Sequence, residues 1–156
     1  MEDVVHSLGH LALGTRLRRL GELLQAETQR VMAEAGIRIQ AGHFPPLAAI
    51  DRLGPLTVGA LAEALGIAQP GATRAANALV EAGLLAVARQ TDQRVRLLSL
   101  TPEGQALVDE AKATLWPRID AAVAALCAGE GTLLHRLSAI EAGLRERPLL
   151  ARIRDA

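Results

Sequence analysis

Apolar positions in the first part of the chain recur with a helical step. Leu13, Leu17, Leu20, Leu24 and Val31 follow one another at intervals of three, four or seven, which lines them along one face and predicts a helix from Val5 to Ala35. Gly36 closes it. The breaker cluster Gly42 to Pro46 precedes a short apolar segment, Leu47 to Leu53, and Gly54-Pro55 forces a turn. Thr57 then stands as N-cap of a helix in which Val58, Leu61, Ala62 and Leu65 form an i, i+3, i+4, i+7 stripe. Beyond Gly66 a second short helix runs from Gln69 to Ala82. Its Pro70 lies in the first turn, where a missing N–H costs little, and Gly83 follows its end.

The period changes at Leu84. Leu84 to Arg89 and Val95 to Leu100 are rich in branched residues and flank a polar tip, Gln90-Thr91-Asp92-Gln93-Arg94, which predicts a β-hairpin. Thr101-Pro102 pairs an N-cap with Pro at the first helical position, so a helix starts there, runs to about Leu126 and bends at Pro117. Gly129 and Gly131 punctuate. Leu133, Leu137, Ile140 and Leu144 mark a last helix, which Pro148 kinks or ends. The expected fold class is mainly α with a small β-hairpin.

The order of two short helices around a tight Gly turn, followed by a hairpin, is that of a winged helix-turn-helix. Ala62 is small where two helices must approach, Gly66 supplies the turn, and Ala72 faces inward from the second helix. At 100° per residue, Ala72, Ala75, Ala76, Leu79 and Ala82 of that helix share an arc of about 120°. Gln69, Pro70, Thr73, Arg74, Asn77 and Glu81 lie on the other side. Amide, hydroxyl and guanidinium groups at the N-terminal end of a recognition helix can hydrogen-bond base edges and phosphates in the major groove, and the free N–H groups of that end favour a phosphate. The plainer alternative is an ordinary solvated face. Arg89, Arg94 and Arg96 cluster on or beside the hairpin tip, where an Arg reaches the narrow minor groove. Asp92 could orient Arg94 by a charge-assisted bond, or form no more than a surface ion pair.

Composition restricts the partners rather than naming one. The net charge is zero, with 17 basic and 17 acidic residues, so nucleic-acid binding rests on where the basic residues sit. All of them but Lys112 are Arg, the side chain suited to bidentate phosphate and guanine contacts. Half of the residues are hydrophobic, nearly all aliphatic, with one Phe, one Trp and no Tyr. A lone Cys127 excludes an intramolecular disulfide. No apolar run approaches the ~20 residues that cross a bilayer, and residues 1–10 carry two acidic groups and no Lys or Arg, unlike a signal peptide. A cytoplasmic protein with no membrane partner is expected.

The stretch from Leu56 to Gly104 resembles the MarR family (multiple-antibiotic-resistance regulators). That family's Asp-x-Arg at the wing tip, followed by Leu-Thr-x-x-Gly, is met by Asp92-Gln93-Arg94 and Leu100-Thr101-Pro102-Glu103-Gly104. Leu61 to Ile67 is similar to the family's second DNA-domain helix, Gln69 to Arg74 to the start of its recognition helix, and Leu79 through Leu85 to the segment leading into the wing. Three positions depart from the pattern. Ala68 stands where the family commonly has Ser, the stretch from Arg89 to Asp92 is about two residues shorter than usual, and Gly71 adds backbone freedom to the recognition helix.

The resemblance implies one MarR-like unit over residues 1–156, with dimerisation helices at 5–36 and 102–154 around a winged helix-turn-helix at 43–101. It implies a homodimeric, sequence-specific regulator, a repressor by type, on a pseudo-palindromic double-stranded DNA operator. Gln69, Pro70, Gly71, Thr73, Arg74 and Asn77 would form the recognition surface, and Arg89, Gln90, Asp92, Gln93 and Arg94 the wing. A small aromatic or phenolic effector would sit in a cleft, for which His10, Arg16, His43 and Phe44 are candidates, unless they are ordinary surface and loop residues. The apolar seams of the first and last helices call for a partner chain, since burying each such side chain stabilises by ~1.5–3 kcal/mol; intramolecular packing of the helices is the alternative.

Other chemistry has thin support. His6 and His10 are four apart on one expected helical face, a metal-binding spacing with no third ligand. Cys127 does not match the N-terminal sensing cysteines of peroxide-responsive relatives. No metal, no cofactor and no enzymatic activity are expected, because no nucleophile–base pair or Gly-rich phosphate loop is present. A winged-helix protein–protein interaction module and a redox- or metal-responsive regulator are the alternatives.

Overall fold

The computed structural model describes residues 2–89, 96–127 and 132–154. Their contacts divide the chain into two compact units, Met1–Leu115 and Trp116–Ala156.

In the first unit, α1 (Val4–Ser7) and a 3-10 turn (Gly9–Ala12) precede α2 (Leu13–Glu34), so the single helix expected from Val5 to Ala35 is broken. The apolar step continues through this region, but Gly9 takes a left-handed φ of 55°, which a helix does not accommodate. The Ser7 hydroxyl also donates back to the Val4 carbonyl. A second 3-10 turn (Ala41–His43) leads into α3 (Phe44–Leu53). Pro45 and Pro46, expected only to break structure, instead occupy the first turn of α3, where their missing N–H groups have no helical partner to lose. The Gln29 side chain of α2 holds the approach to this turn, donating to the Ile39 carbonyl and accepting from the Ala41 N–H.

Next follow α4 (Val58–Leu65), α5 (Gln69–Glu81), β1 (Leu85–Arg89), β2 (Arg96–Leu100) and α6 (Pro102–Glu110). The strands form one antiparallel hairpin with Leu85 opposite Leu100 and Arg89 opposite Arg96. Leu56 adds a bridge to Leu98, exchanging both backbone hydrogen bonds at 3.0 and 2.8 Å, which covers part of the exposed edge of β2. Leu47 and Ile50 of α3, Leu61 of α4, Leu79 of α5, Leu85, Leu98 and Val108 form the buried core around which α3–α6 and the hairpin close. The expected class, mainly helical with a two-stranded hairpin, is what the chain adopts.

A π-helical turn precedes Pro117, the residue at which the sequence predicts a bend. Residues Ala111–Leu115 form a π-helical turn between α6 and α7 (Trp116–Leu126). Proline at 117 cannot donate to the carbonyl four residues back and its ring crowds that carbonyl; a widened turn relieves both. In the second unit α7 is followed by α8 (Thr132–Glu146) and α9 (Leu149–Arg154), with Pro148 between them. Arg152 reaches back to the Gly143 carbonyl (2.7 Å) and the Arg147 carbonyl (2.9 Å), capping the end of α8 and fixing α9 against it. No helix among the described residues is long and apolar enough to cross a membrane.

Candidate nucleic-acid interface

The interface is built from the turn outward. The Thr57 hydroxyl accepts from the Ala60 N–H (3.1 Å) and starts α4. At its end Gly66 adopts φ 63°, ψ 30°, a conformation costly for a residue with Cβ. The Gly66 N–H then returns to Glu63 and the Ile67 N–H to Ala62, closing the carbonyls of the last turn. This directs α5 across α4, and the small side chains of Ala62, Ala72 and Ala76, all buried, let the two helices approach closely. Leu79, fully buried, anchors the far end. Ala82, expected on the buried arc, is exposed, because α5 ends at Glu81 and the chain turns away at Gly83.

Fixed in this way, α5 presents Gln69, Pro70, Thr73, Arg74 and Asn77 to solvent, with Gly71 half-buried beside Ile67. Among the described residues no hydrogen bond or ion pair holds the side chains of Gln69, Arg74 or Asn77. Thr73 differs, since its hydroxyl donates to the Gln69 carbonyl at 2.9 Å. The start of the helix also departs from expectation. Ala68 is an N-cap without a side-chain bond, Pro70 has no N–H, and the Gly71 N–H is bonded to the Ala68 carbonyl at 2.8 Å. In the first turn only Gln69 keeps a backbone N–H for an anion, so positive charge on α5 comes from Arg74 alone.

The hairpin lies next to this surface, since β1 packs on α5. Its register sets residues 89 and 96 opposite each other at the base of the tip. Arg96 is exposed and Arg89 belongs to β1. The other expected wing residues, Gln90, Asp92, Gln93 and Arg94, lie outside the described residues.

A single threonine joins this surface to α6. The Thr101 hydroxyl accepts from the Gly104 N–H (3.0 Å) as N-cap and donates to the Gly83 carbonyl (2.7 Å). The Thr101 N–H donates to the Leu84 carbonyl at 3.1 Å. The end of α5 and the start of α6 are thereby tied through two successive carbonyls. A second brace was not legible in the sequence. Asp51 of α3, nearly buried, pairs with Lys112 in the π-helical turn and accepts from the Gln105 amide at 3.0 Å, across 54 positions. The ammonium and the amide hold the Asp51 carboxyl below the usual carboxylate range. The only available signal was that Lys112 is the sole lysine among 16 arginines.

The candidate cleft residues are placed separately. His10 and Arg16 are exposed, His43 is half-buried at the end of the second 3-10 turn, and Phe44 is buried at the start of α3. A groove of about 460 Å³ runs between α2 and the Ala41–His43 turn, lined by Glu22, Gln25, Ala26, Gln29, Gln40 and Gly42, with none of the four among them. His6 belongs to α1 and His10 to the 3-10 turn beyond Gly9, so they do not share a regular helical face. Cys127 is a free thiol, half-buried, after α7.

Comparison with known proteins places this arrangement. A family model described as the MarR family matches residues 39–94. No curated protein matches the sequence. Among solved structures the chain is similar to Bordetella bronchiseptica BpsR, whose DNA binding is regulated by 6-hydroxynicotinic acid: 26% identity, TM-score 0.66, covering 81% of this chain and 98% of that one. It is similar to the M. tuberculosis transcriptional regulator MOSR in complex with DNA, at 25% identity and TM-score 0.72 over 86% and 96% of the two chains. The repressor CouR bound to a 23-mer DNA duplex gives 25% and 0.71 over the same shares. With the helix-turn-helix and the first strand of the hairpin matched in sequence over residues 39–94, and the fold shared with solved structures over more than four-fifths of the chain, the protein is similar to regulators of the MarR family.

Proposed function

We propose that this chain is a homodimeric transcription regulator that reads a pseudo-palindromic duplex operator, with α5 in the major groove and the hairpin tip over the adjacent minor groove. The observation that carries this reading is the state of α5. A helix anchored by fully buried Ala72 and Leu79 turns out Gln69, Arg74 and Asn77 with no protein partner among the described residues. Hydrogen-bonding groups held rigidly and left unpaired suit base edges and phosphates. Gln69, Pro70, Gly71, Thr73, Arg74 and Asn77 form the recognition surface, and Arg89, Gln90, Asp92, Gln93 and Arg94 the wing contacts. The likeness to MOSR and CouR, each solved with DNA, supports the same use of the helix here.

Two copies fit the operator because one winged domain covers one half-site, and half-sites lie a helical turn or a multiple apart. Exposed leucines support the partner. Leu17, Leu20 and Leu23 lie on α2, and in the other unit Leu134, Leu144, Leu149 and Ile153 lie on α8 and α9. Residues 5–36 and 102–154 supply the dimer helices and 43–101 the DNA-binding domain. The likeness to BpsR supports control by a small aromatic acid. The activity is binding rather than catalysis, and it is exercised in the cytoplasm.

Duplex binding measured across salt concentrations tests the reading. Neutralising several phosphates gives a log K that falls linearly with log salt, by about 0.9 per phosphate contacted. A chain that is monomeric in sedimentation and retains no duplex at low salt would overturn it.

A further inference from the structure

We infer that the first turn of α5 selects thymine through its C5-methyl group, with Thr73 as the specificity-determining residue; this rests on the DNA-reading function proposed above. The polar groups of that turn are turned in on the helix itself. The Thr73 hydroxyl proton is committed to the Gln69 carbonyl (2.9 Å), the Gly71 N–H to the Ala68 carbonyl (2.8 Å), and Pro70 has no N–H to offer. Ala68, at the cap, contributes no polar side chain. Between Gln69 and Arg74, the residues this turn exposes are Pro70 and Thr73, with Gly71 half-buried, so its outer surface carries few hydrogen-bonding groups of its own.

A hydroxyl already donating within its helix cannot donate to guanine O6, to a purine N7 or to thymine O4 without giving up that bond. Its Cγ2 methyl is free of such obligations, and a β-branched side chain is stiff at χ1, so the arrangement persists. Every base pair offers hydrogen-bonding groups in the major groove, but the thymine C5-methyl is the one apolar group there. A methyl packed on a methyl removes both from water. The hydroxyl oxygen keeps a lone pair that an adenine or cytosine amino group could use, but towards thymine, which shows only O4 and a methyl in the major groove, Thr73 reads the methyl.

The test uses the full chain and duplexes it retains from a random pool. Each thymine of a retained duplex is replaced in turn by deoxyuridine, which keeps all hydrogen-bonding groups and lacks the methyl. The expected result is a three- to fivefold loss of affinity, the scale of one buried methyl (), at one thymine in each half-site. Thr73→Val, which keeps the methyl and removes the hydroxyl, retains that sensitivity. Thr73→Ser, which keeps the hydroxyl and removes the methyl, binds thymine and deoxyuridine duplexes alike. Circular dichroism melts of both variants confirm that they are folded. Indifference of the wild type to every deoxyuridine substitution, or loss of the sensitivity in Thr73→Val, overturns the inference while leaving DNA binding intact. Retention of no duplex at low salt overturns it together with the function it rests on.

Discussion

Gly104 lies against the Leu84 carbonyl so closely that a Cβ at residue 104 would overlap the carbonyl oxygen. Leu100 Cδ2 would also stand 3.3 Å from it. The obstacle is backbone, and that backbone is itself held by the Thr101 N–H, so neither side can give way cheaply. The glycine of the Leu-Thr-x-x-Gly motif is therefore a packing requirement at the joint between α5, hairpin and α6. Gly104→Ala is expected to destabilise the chain by roughly 2–3 kcal/mol, the upper range for forcing extra volume into a packed site. Thermal denaturation reads this directly; a variant melting within a degree of wild type would show that the joint is not closed as described.

The brace between α3 and the π-helical turn is an electrostatic counterpart. Asp51 accepts from Gln105 and pairs with Lys112, and its carboxyl titrates below the ordinary value of 3.8. A carboxyl with a lower pKa in the folded than in the unfolded chain binds protons more readily when unfolded. Its stabilisation is therefore complete above the unfolded value and is lost as pH falls through the folded one. Lys112 is nearly half exposed, so the pair is partly screened and contributes about 1 kcal/mol. Asp51→Asn should cost that amount at neutral pH, and the gap to wild type should close below about pH 4. Asp3, bound by both Arg19 nitrogens and held down to about 2, titrates in the same direction in both proteins and cancels from the difference. Denaturant midpoints at a series of pH values measure it.

The sequence was most legible where structure is punctuated locally. Thr57, Gly66 and Gly83, and Thr101 in its bond to the Gly104 N–H, act through groups within a few residues, so the residue type alone marks the helix end; the longer bonds of Thr101 to Gly83 and Leu84 carry no such local mark. The buried and exposed faces of α5 followed from 100° arithmetic, because Ala72, Ala76 and Leu79 are buried against a fixed neighbour. The break at Gly9 is not legible in the sequence, since apolar residues continue on both sides of it and a glycine within a helical period does not announce a left-handed φ. Pro45 and Pro46 mark a boundary without saying which side of it they occupy. The brace from Asp51 to Gln105 joins residues 54 apart, and no periodicity encodes such a partner. The use of the Gly71 N–H and the Thr73 hydroxyl within α5 depends on bond geometry that composition does not contain.

Arg74 is the single basic side chain on α5, exposed and without a partner among the described residues, so its removal breaks nothing inside the protein. Arg74→Ala should leave the melting temperature within about a degree while weakening duplex binding. If it contacts a phosphate, affinity falls alike for all sequences and the salt slope drops by about 1. If it contacts guanine, binding weakens by roughly 1–3 kcal/mol and preference at one position relaxes. Titrations of matched and scrambled duplexes at several salt concentrations separate the two, and unchanged affinity for both would remove Arg74 from the interface.

Gly71 supplies a prediction with opposite signs for stability and binding. Its φ is not left-handed, and an added Cβ would meet only Ile67 Cδ1 at 3.7 Å, an ordinary contact. Nothing among the described residues requires glycine there, whereas glycine inside a helix costs about 0.5–1 kcal/mol relative to alanine. A surface outside the chain that approaches the first turn of α5 would meet a methyl added there. On the reading proposed above, which sets α5 in the major groove, that surface is the duplex. Gly71→Ala is expected to raise stability by about 0.5–1 kcal/mol and, in the same protein, to weaken binding of the preferred duplex about tenfold, the scale of a misfit methyl or a lost close contact. Paired melting and binding measurements decide it: a variant that is more stable and binds as tightly as wild type would put the duplex out of reach of the first turn of α5.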